Sequence, residues 1–157
     1  MCDFQEKDVN EIIPNLWLGN YKAAYDKNFL KKYNIKYIVS IMDNFNNNYR
    51  YDNIAYLFIP VTDEDVCKLN MIDIFNITTN FISNGLNKNK GVLVHCKQGH
   101  HRSASIIAAF LFKHLNMNYT KVINYIRAIR PYALRRNTCI SKKMYEYYLY
   151  RQSNVIF

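Results

Sequence analysis

Long apolar runs are missing from this chain: none approaches the roughly 20 residues that a helix needs to span a bilayer. The N-terminus also lacks a basic segment followed by an apolar one. Met1 to Asn10 is polar and acidic, so no signal peptide is expected. These two absences point to a soluble protein kept inside the cell, in the cytoplasm or equally the nucleus, with no membrane span. Cysteine is sparse. Cys2, Cys67, Cys96 and Cys139 are scattered, form no CxxC pair and show no metal-ligand spacing. In an intracellular setting they are expected to be reduced thiols, and nothing in their pattern calls for a metal or another cofactor. Acidic residues are the minority charge, 12 against 21 Lys and Arg, for a formal net charge of +9. That balance favours anionic partners such as phosphoproteins, acidic lipid headgroups or nucleic acid, and it serves solubility equally well. Internal repeats and internal domain boundaries are absent. The only low-complexity stretch, Asn44 to Asn48, reads as a solvated loop.

Apolar residues, by contrast, are plentiful. Half of the 157 residues are hydrophobic and 15% are aromatic, enough for a sizeable core in one domain. Short apolar runs alternate with helical patterns, which predicts an α/β fold. Ile12-Ile13 and Leu16-Trp17-Leu18 flank a turn at Pro14-Asn15, and a helical stretch over 20–33 breaks near Asp26. Tyr37 to Met42 and Ile54 to Ile59 read as strands. A helical stripe runs from Asn70 to Leu86, with Asn84-Gly85 as its stop signal. Gly91 to His95 is a core strand candidate, Ser103 to Leu115 a buried helix, Tyr119 to Ile129 an amphipathic helix ended by Arg130-Pro131, and Ser141 to Arg151 a last, tyrosine-rich helix.

The segment from Val92 to Ser103 carries the chemistry. It joins a core strand to a buried helix through the loop Cys96-Lys97-Gln98-Gly99-His100-His101-Arg102. Such a loop can wrap its backbone N–H groups around a tetrahedral oxyanion, helped by the positive end of the following helix. Gly99 permits the tight curvature. A cysteine at the loop's start then faces the N–H donors and the helix terminus, surroundings that favour the thiolate. Arg102 supplies a planar, charged fork for two phosphoryl oxygens, and Ser103 is placed to offer its hydroxyl to the sulfur. Expelling an alkoxide or phenoxide needs a proton donor as well, and a carboxylic acid beside the loop would serve. By chemistry alone Asp63, Glu64 and Asp65 all qualify.

His95 to Ser103, with five residues between Cys96 and Arg102-Ser103, resembles the signature loop of the protein tyrosine phosphatase superfamily. Further segments resemble its dual-specificity branch: Arg102 to Ser105 at the loop exit, Ile12 to Asn20 followed by Ala23-Ala24, Ile59-Pro60-Val61-Thr62-Asp63, and Ile126 to Arg130 followed by Asn137. The likeness runs from about Glu11 to Tyr147. It implies a small single-domain phosphatase with a central, mostly parallel sheet of about five strands flanked by helices, and the phosphate loop between the last strand and its helix. It also implies a tail over 1–10, a catalytic domain over 11–151 and a tail over 152–157. Cys96 would be the nucleophile, Arg102 the phosphate clamp, Asp63 the acid and then the base, and Ser103 the aid to sulfur release. His95, Lys97, Gln98, Gly99, His100 and His101 would shape or line the substrate site. The expected substrates are phosphotyrosine and phosphoserine or phosphothreonine in proteins.

The loop departs from the branch at its centre. Gln98 stands where Ala is common, and His101 where Ser is common. Lys97, His100 and His101 make the loop basic, as in relatives that act on phosphoinositides or inositol polyphosphates. These groups would suit acidic or polyphosphorylated ligands, the histidines would bind a second phosphate or a metal, or they would simply hydrogen-bond the loop backbone. RNA 5′-triphosphatase activity is a further reading, and the acid at Asp63 argues against it, so nucleic acid is not the expected partner. The segment Pro131 to Arg136 is longer than usual by about one residue, and Arg135 with Arg136 would form either a second anion pocket or a solvated loop. A non-catalytic phosphate-binding module would lack one of the nucleophile, arginine and acid, and all of these residues are present. A disulfide between Cys67 or Cys2 and an oxidised Cys96 is another possible protection of the nucleophile.

Overall fold

The computed structural model describes residues 6–154. Strands β1 (Val9–Ile13) and β2 (Leu16–Gly19) form an antiparallel hairpin. Asn15 makes its turn at φ 68°, a left-handed angle that asparagine tolerates. The side-chain oxygen of Asn20 accepts the N–H groups of Lys22 and Ala23 and so starts α1 (Tyr21–Tyr25). Asp26 ends that helix and caps α2 (Lys27–Lys32), so the expected break at Asp26 is a change of helix. Then come β3 (Ile35–Ile41), β4 (Ala55–Ile59), α3 (Met71–Asn87), β5 (Gly91–His95), α4 (Arg102–His114), α5 (Tyr119–Ile129) and α6 (Cys139–Ser153). β1 begins at Val9, two residues inside the segment that the sequence assigns to a tail, and α6 runs on to Ser153.

The sheet order is β1-β2-β5-β3-β4, with β2, β5, β3 and β4 parallel. Side chains alternate across it with period 2. Leu16, Leu18, Val39, Ile41, Val92 and Val94 join one core cluster, which also takes in α3, α4, α5 and α6. Trp17, Ile38 and Leu93 point the other way, onto α1 and α2. Helix α4 is buried from Arg102 to Phe112, and each fully buried Ile or Leu there contributes on the order of 2 kcal/mol. Gly85 has a different role from the stop signal expected of it. The helix continues past it to Asn87, and a Cβ at this position would lie 2.6 Å from Val92 and 2.9 Å from the Tyr37 ring. The glycine lets α3 approach the sheet. No helix among the described residues is long and apolar enough to cross a membrane.

Ligand crevices in parallel sheets lie beyond the carboxyl ends of the strands. Asp43 follows β3, Asp63 follows β4 and Cys96 follows β5, so chain topology brings all three to one end of the sheet.

The expectation of reduced, unpaired thiols does not hold for two cysteines. Cys67 and Cys139 are joined in a disulfide with Cα atoms 5.3 Å apart, because the turn after β4 packs against the start of α6. Cys96 is free and buried, so Cys67 is not its partner. Cys2 lies outside the described residues.

Candidate active site

The loop between β5 and α4 is built by hydrogen bonds to its carbonyls. The Lys97 carbonyl accepts from the Tyr21 N–H at 3.3 Å, and the His100 carbonyl from the Leu134 N–H at 2.8 Å. The Gln98 and Gly99 carbonyls accept from the Arg130 guanidinium at 3.2 and 3.1 Å. Every one of these donors lies outside the loop. A planar trans peptide points its C=O and the next N–H in opposite directions. Carbonyls turned outward therefore turn the amides of Gln98, Gly99, His100 and His101 inward. The Gly99 N–H indeed donates to Cys96 Sγ at 3.2 Å, and Ser103 Oγ lies 3.1 Å from the same sulfur. Gly99 has φ 75°, and a Cβ there would meet the Gly19 carbonyl oxygen at 2.6 Å; only glycine fits.

His95 anchors the loop from behind. It is fully buried, and desolvation holds its pKa down at about 4. The neutral ring must donate from Nδ1 to the Cys96 carbonyl, 3.2 Å away, because a carbonyl only accepts. Nε2 then accepts from the Ser40 hydroxyl at 2.6 Å.

Asp63, Cys96, Lys97, Gln98, His100, His101 and Arg102 line a cavity of about 260 Å³. Arg102 spans its wall. Nη1 donates to the Val61 carbonyl at 2.7 Å and to Asp43 at 3.1 Å. Nε lies 3.0 Å from Asp63, within ion-pair reach though outside hydrogen-bond alignment. Of the candidate acids, Asp63 alone lines this cavity. The Asp65 carboxylate is occupied: it accepts the Thr62 N–H at 3.0 Å while its own N–H donates to Thr62 Oγ1. That backbone bond, with the Thr62 side chain, holds its carboxyl below the usual carboxylate range, wrong for a proton donor.

The geometry matches a known family. The dual specificity phosphatase catalytic-domain family matches residues 16–149. The chain belongs to the dual specificity phosphatases. Dual specificity protein phosphatase 1B of Arabidopsis thaliana is 32% identical over 127 residues, covering 81% of this chain and 74% of that protein. Dual specificity protein phosphatase 22-B of Danio rerio is 30% identical over 139 residues, covering 88% and 73% respectively. The crystal structure of human DUSP28 superposes with a TM-score of 0.85 at 20% identity, covering 94% of this chain and 97% of that one, a likeness of fold. The family's reaction class, hydrolysis of a phosphoric monoester, comes with the membership.

Within this phosphatase frame, some residues singled out in the sequence sit away from the cavity. His95 does not touch substrate space, since burial behind the loop leaves it none of its surface. Arg136 lines a separate cleft of about 340 Å³ with Tyr119 and Met144, between α5 and α6. Arg135 is exposed and near enough to act electrostatically on His101, without lining the phosphatase cavity. His100 turns its Nε2 to Glu6 at 2.5 Å, so the loop's basic character is partly spent on the N-terminal segment. His101 is half-buried, and desolvation lowers its pKa. In the segment after α5, Leu134 and Asn137 take left-handed φ angles of 58° and 60°. Among the described residues no group of three or more His, Cys, Asp and Glu side chains is placed to hold a metal.

Sequence reading missed three supporting residues. Ser40 orients His95, and Asp43 shares Arg102. Arg130 is fully buried and also donates to the Lys7 carbonyl and to Asn10, at 2.9 and 2.8 Å. A signal for Arg130 was present. Val122 and Ile126 form the buried stripe of α5, and Arg130, the residue that caps the helix, continues it at the same four-residue spacing; an arginine in that register needs buried acceptors.

Proposed function

We propose that this chain hydrolyses phosphotyrosine and phosphoserine or phosphothreonine in proteins through a phosphocysteine intermediate. The observation that carries the reading is the Cys96 sulfur at the cavity floor, 3.2 Å from the Gly99 amide and 3.1 Å from the Ser103 hydroxyl, with Arg102 on the same wall. The phosphoryl group enters the amide-lined cup, and Arg102 exchanges carboxylate for phosphoryl oxygens. Cys96 Sγ attacks phosphorus. The bond to the leaving oxygen breaks as Asp63 gives that oxygen its proton. Water then attacks the phosphocysteine, Asp63 takes its proton, and the Ser103 hydroxyl donates to the departing sulfur. Family membership supports protein substrates, and the reading that both aryl and alkyl phosphoesters are accepted rests on the same ground.

Release of phosphate from phosphopeptides tests this reading, with Cys96→Ser as its control. Turnover should fall by on the order of 10⁴-fold or more, while phosphopeptide binding persists and traps the substrate. Lys97 and His101 share the cavity wall, which gives a phosphoinositide or inositol polyphosphate some claim. Faster turnover on those compounds than on any phosphopeptide would move the substrate assignment to them. Wild-type protein that binds phosphopeptides without releasing phosphate would sink the enzymatic reading.

A further inference from the structure

The disulfide lies beside the chemistry without touching the nucleophile. Cys67 closes the single 3₁₀ turn Asp65–Cys67, four residues after Asp63, and Cys139 opens helix α6. The side-chain hydrogen bonds within 62–68 stay local, between Thr62 and Asp65. Among the described residues, three links hold the segment against the body of the protein: the Asp63 contact with Arg102, the burial of Val66 and the Cys67–Cys139 bridge. Only the bridge is covalent. Asp63 itself has a side chain 66% exposed.

We propose that Cys67–Cys139 is a reversible redox tether that holds the Asp63 segment in its catalytic position. This rests on Asp63 being the acid. Cys67 is exposed and Cys139 half-buried, so a dithiol reductant attacks at Cys67. Its thiolate forms a bond to Cys67 Sγ as the Cys67–Cys139 bond breaks, and Cys139 leaves as a thiolate. That leaving group sits at the positive end of α6, where a negative charge is favoured. The reductant's second thiolate then closes its own disulfide and releases Cys67. The reductant is oxidised by two electrons, and both cysteines end as thiols. With the bridge open the acid segment keeps only the Arg102 contact and the Val66 anchor, and proton delivery to the leaving oxygen becomes less frequent.

The test is the dependence of kcat/KM on the leaving group across a series of aryl phosphates. The slope of that dependence does not change with the fraction of Cys96 that is active. Wild-type protein is compared before and after a dithiol, with free thiols counted in each state, beside the Cys67→Ser/Cys139→Ser double variant. Opening the bridge should cost about tenfold on phenyl phosphate, a part of the roughly 10²–10⁴-fold that a positioned acid supplies. It should cost little on p-nitrophenyl phosphate, whose leaving group needs no proton. The double variant should match reduced wild type and ignore the dithiol. If that variant does not fold, the wild-type pair decides alone. A bridge that never forms in air-oxidised protein overturns the tether, and so does a slope unchanged by its reduction. Aryl phosphate hydrolysis with an unchanged slope leaves the phosphatase reading standing; no hydrolysis by fully reduced wild type removes both.

Discussion

The loop that holds the nucleophile and the segment that holds the acid are built in opposite ways. From Cys96 to His100 the carbonyls are tied to His95, Tyr21, Arg130 and Leu134, donors from four different parts of the chain: β5, α1, the end of α5 and the turn after it. Asp63, on the wall of the same cavity, hangs from a turn with its own side chain exposed. The difference follows from the work each does. An oxyanion cup stabilises charge only if its dipoles are already oriented, so rigidity there is worth the burial of an arginine. A proton donor has to meet leaving groups of different lengths and later an incoming water, so a looser mounting suits it.

The largest break in that comparison comes from the acid. Asp63→Asn should lower kcat/KM on alkyl and phenyl phosphates by roughly 10²–10⁴-fold. It should also remove the fall of activity on the basic side of the pH profile, where a group that must start protonated has lost its proton. Protein stability should be unchanged, since the side chain is exposed. If Asp65→Asn has these effects instead, the acid is misassigned.

The rigid side breaks differently. Arg130→Leu removes the donors from the Gln98 and Gly99 carbonyls and from Lys7 and Asn10 at once. Leaving buried acceptors unpaired costs about 1–3 kcal/mol apiece. A marked drop in Tm is expected, with a loss in kcat on the order of 10²-fold that is the same for all leaving groups. A loss that grows with leaving-group basicity would instead tie Arg130 to the acid.

Most of this was legible in the sequence, for a physical reason. Period-2 alternation in Leu16-Trp17-Leu18 and Val92-Leu93-Val94 sorts side chains to opposite faces whatever the partner strands are. Cys96 and Arg102 are bound into one loop by their spacing. What stayed hidden depends on contacts between segments far apart in the chain. Nothing local to Cys67 or Cys139, 72 residues apart, says that they meet. Arg136 and His95 looked like site residues by adjacency; the course of the loop between α5 and α6 carries Arg136 to another cleft, and burial in β5 puts His95 behind the loop.

The rear support of the loop has its own pH signature. His95 is held neutral with a pKa of about 4 against an ordinary 6.5. Between those values the unfolded chain binds a proton that the folded one refuses, so stability should fall as pH drops from 6.5 to 4. The contribution lost across that window is roughly 3 kcal/mol. Chemical denaturation at a series of pH values reads it, and His95→Asn should flatten the slope. An equal slope in the variant would assign it to other groups.

The smallest effect is the most informative about the two carboxylates on Arg102. Asp43 and Asp63 lie 3.1 and 3.0 Å from the guanidinium and are similarly exposed, 60% and 66%. By distance alone they are equivalent. Asp43 faces the neighbouring clefts, however, and only Asp63 faces the sulfur. An ion pair with so exposed a carboxylate is worth about 0–1 kcal/mol, and the Val61 carbonyl at 2.7 Å keeps Arg102 oriented without it. Asp43→Asn should therefore lower kcat/KM by about threefold and keep the basic limb of the pH profile intact. If that limb disappears with Asp43 and survives in Asp63→Asn, the proton comes from the end of β3, and the contrast between a buried cup and an exposed acid loses its second member.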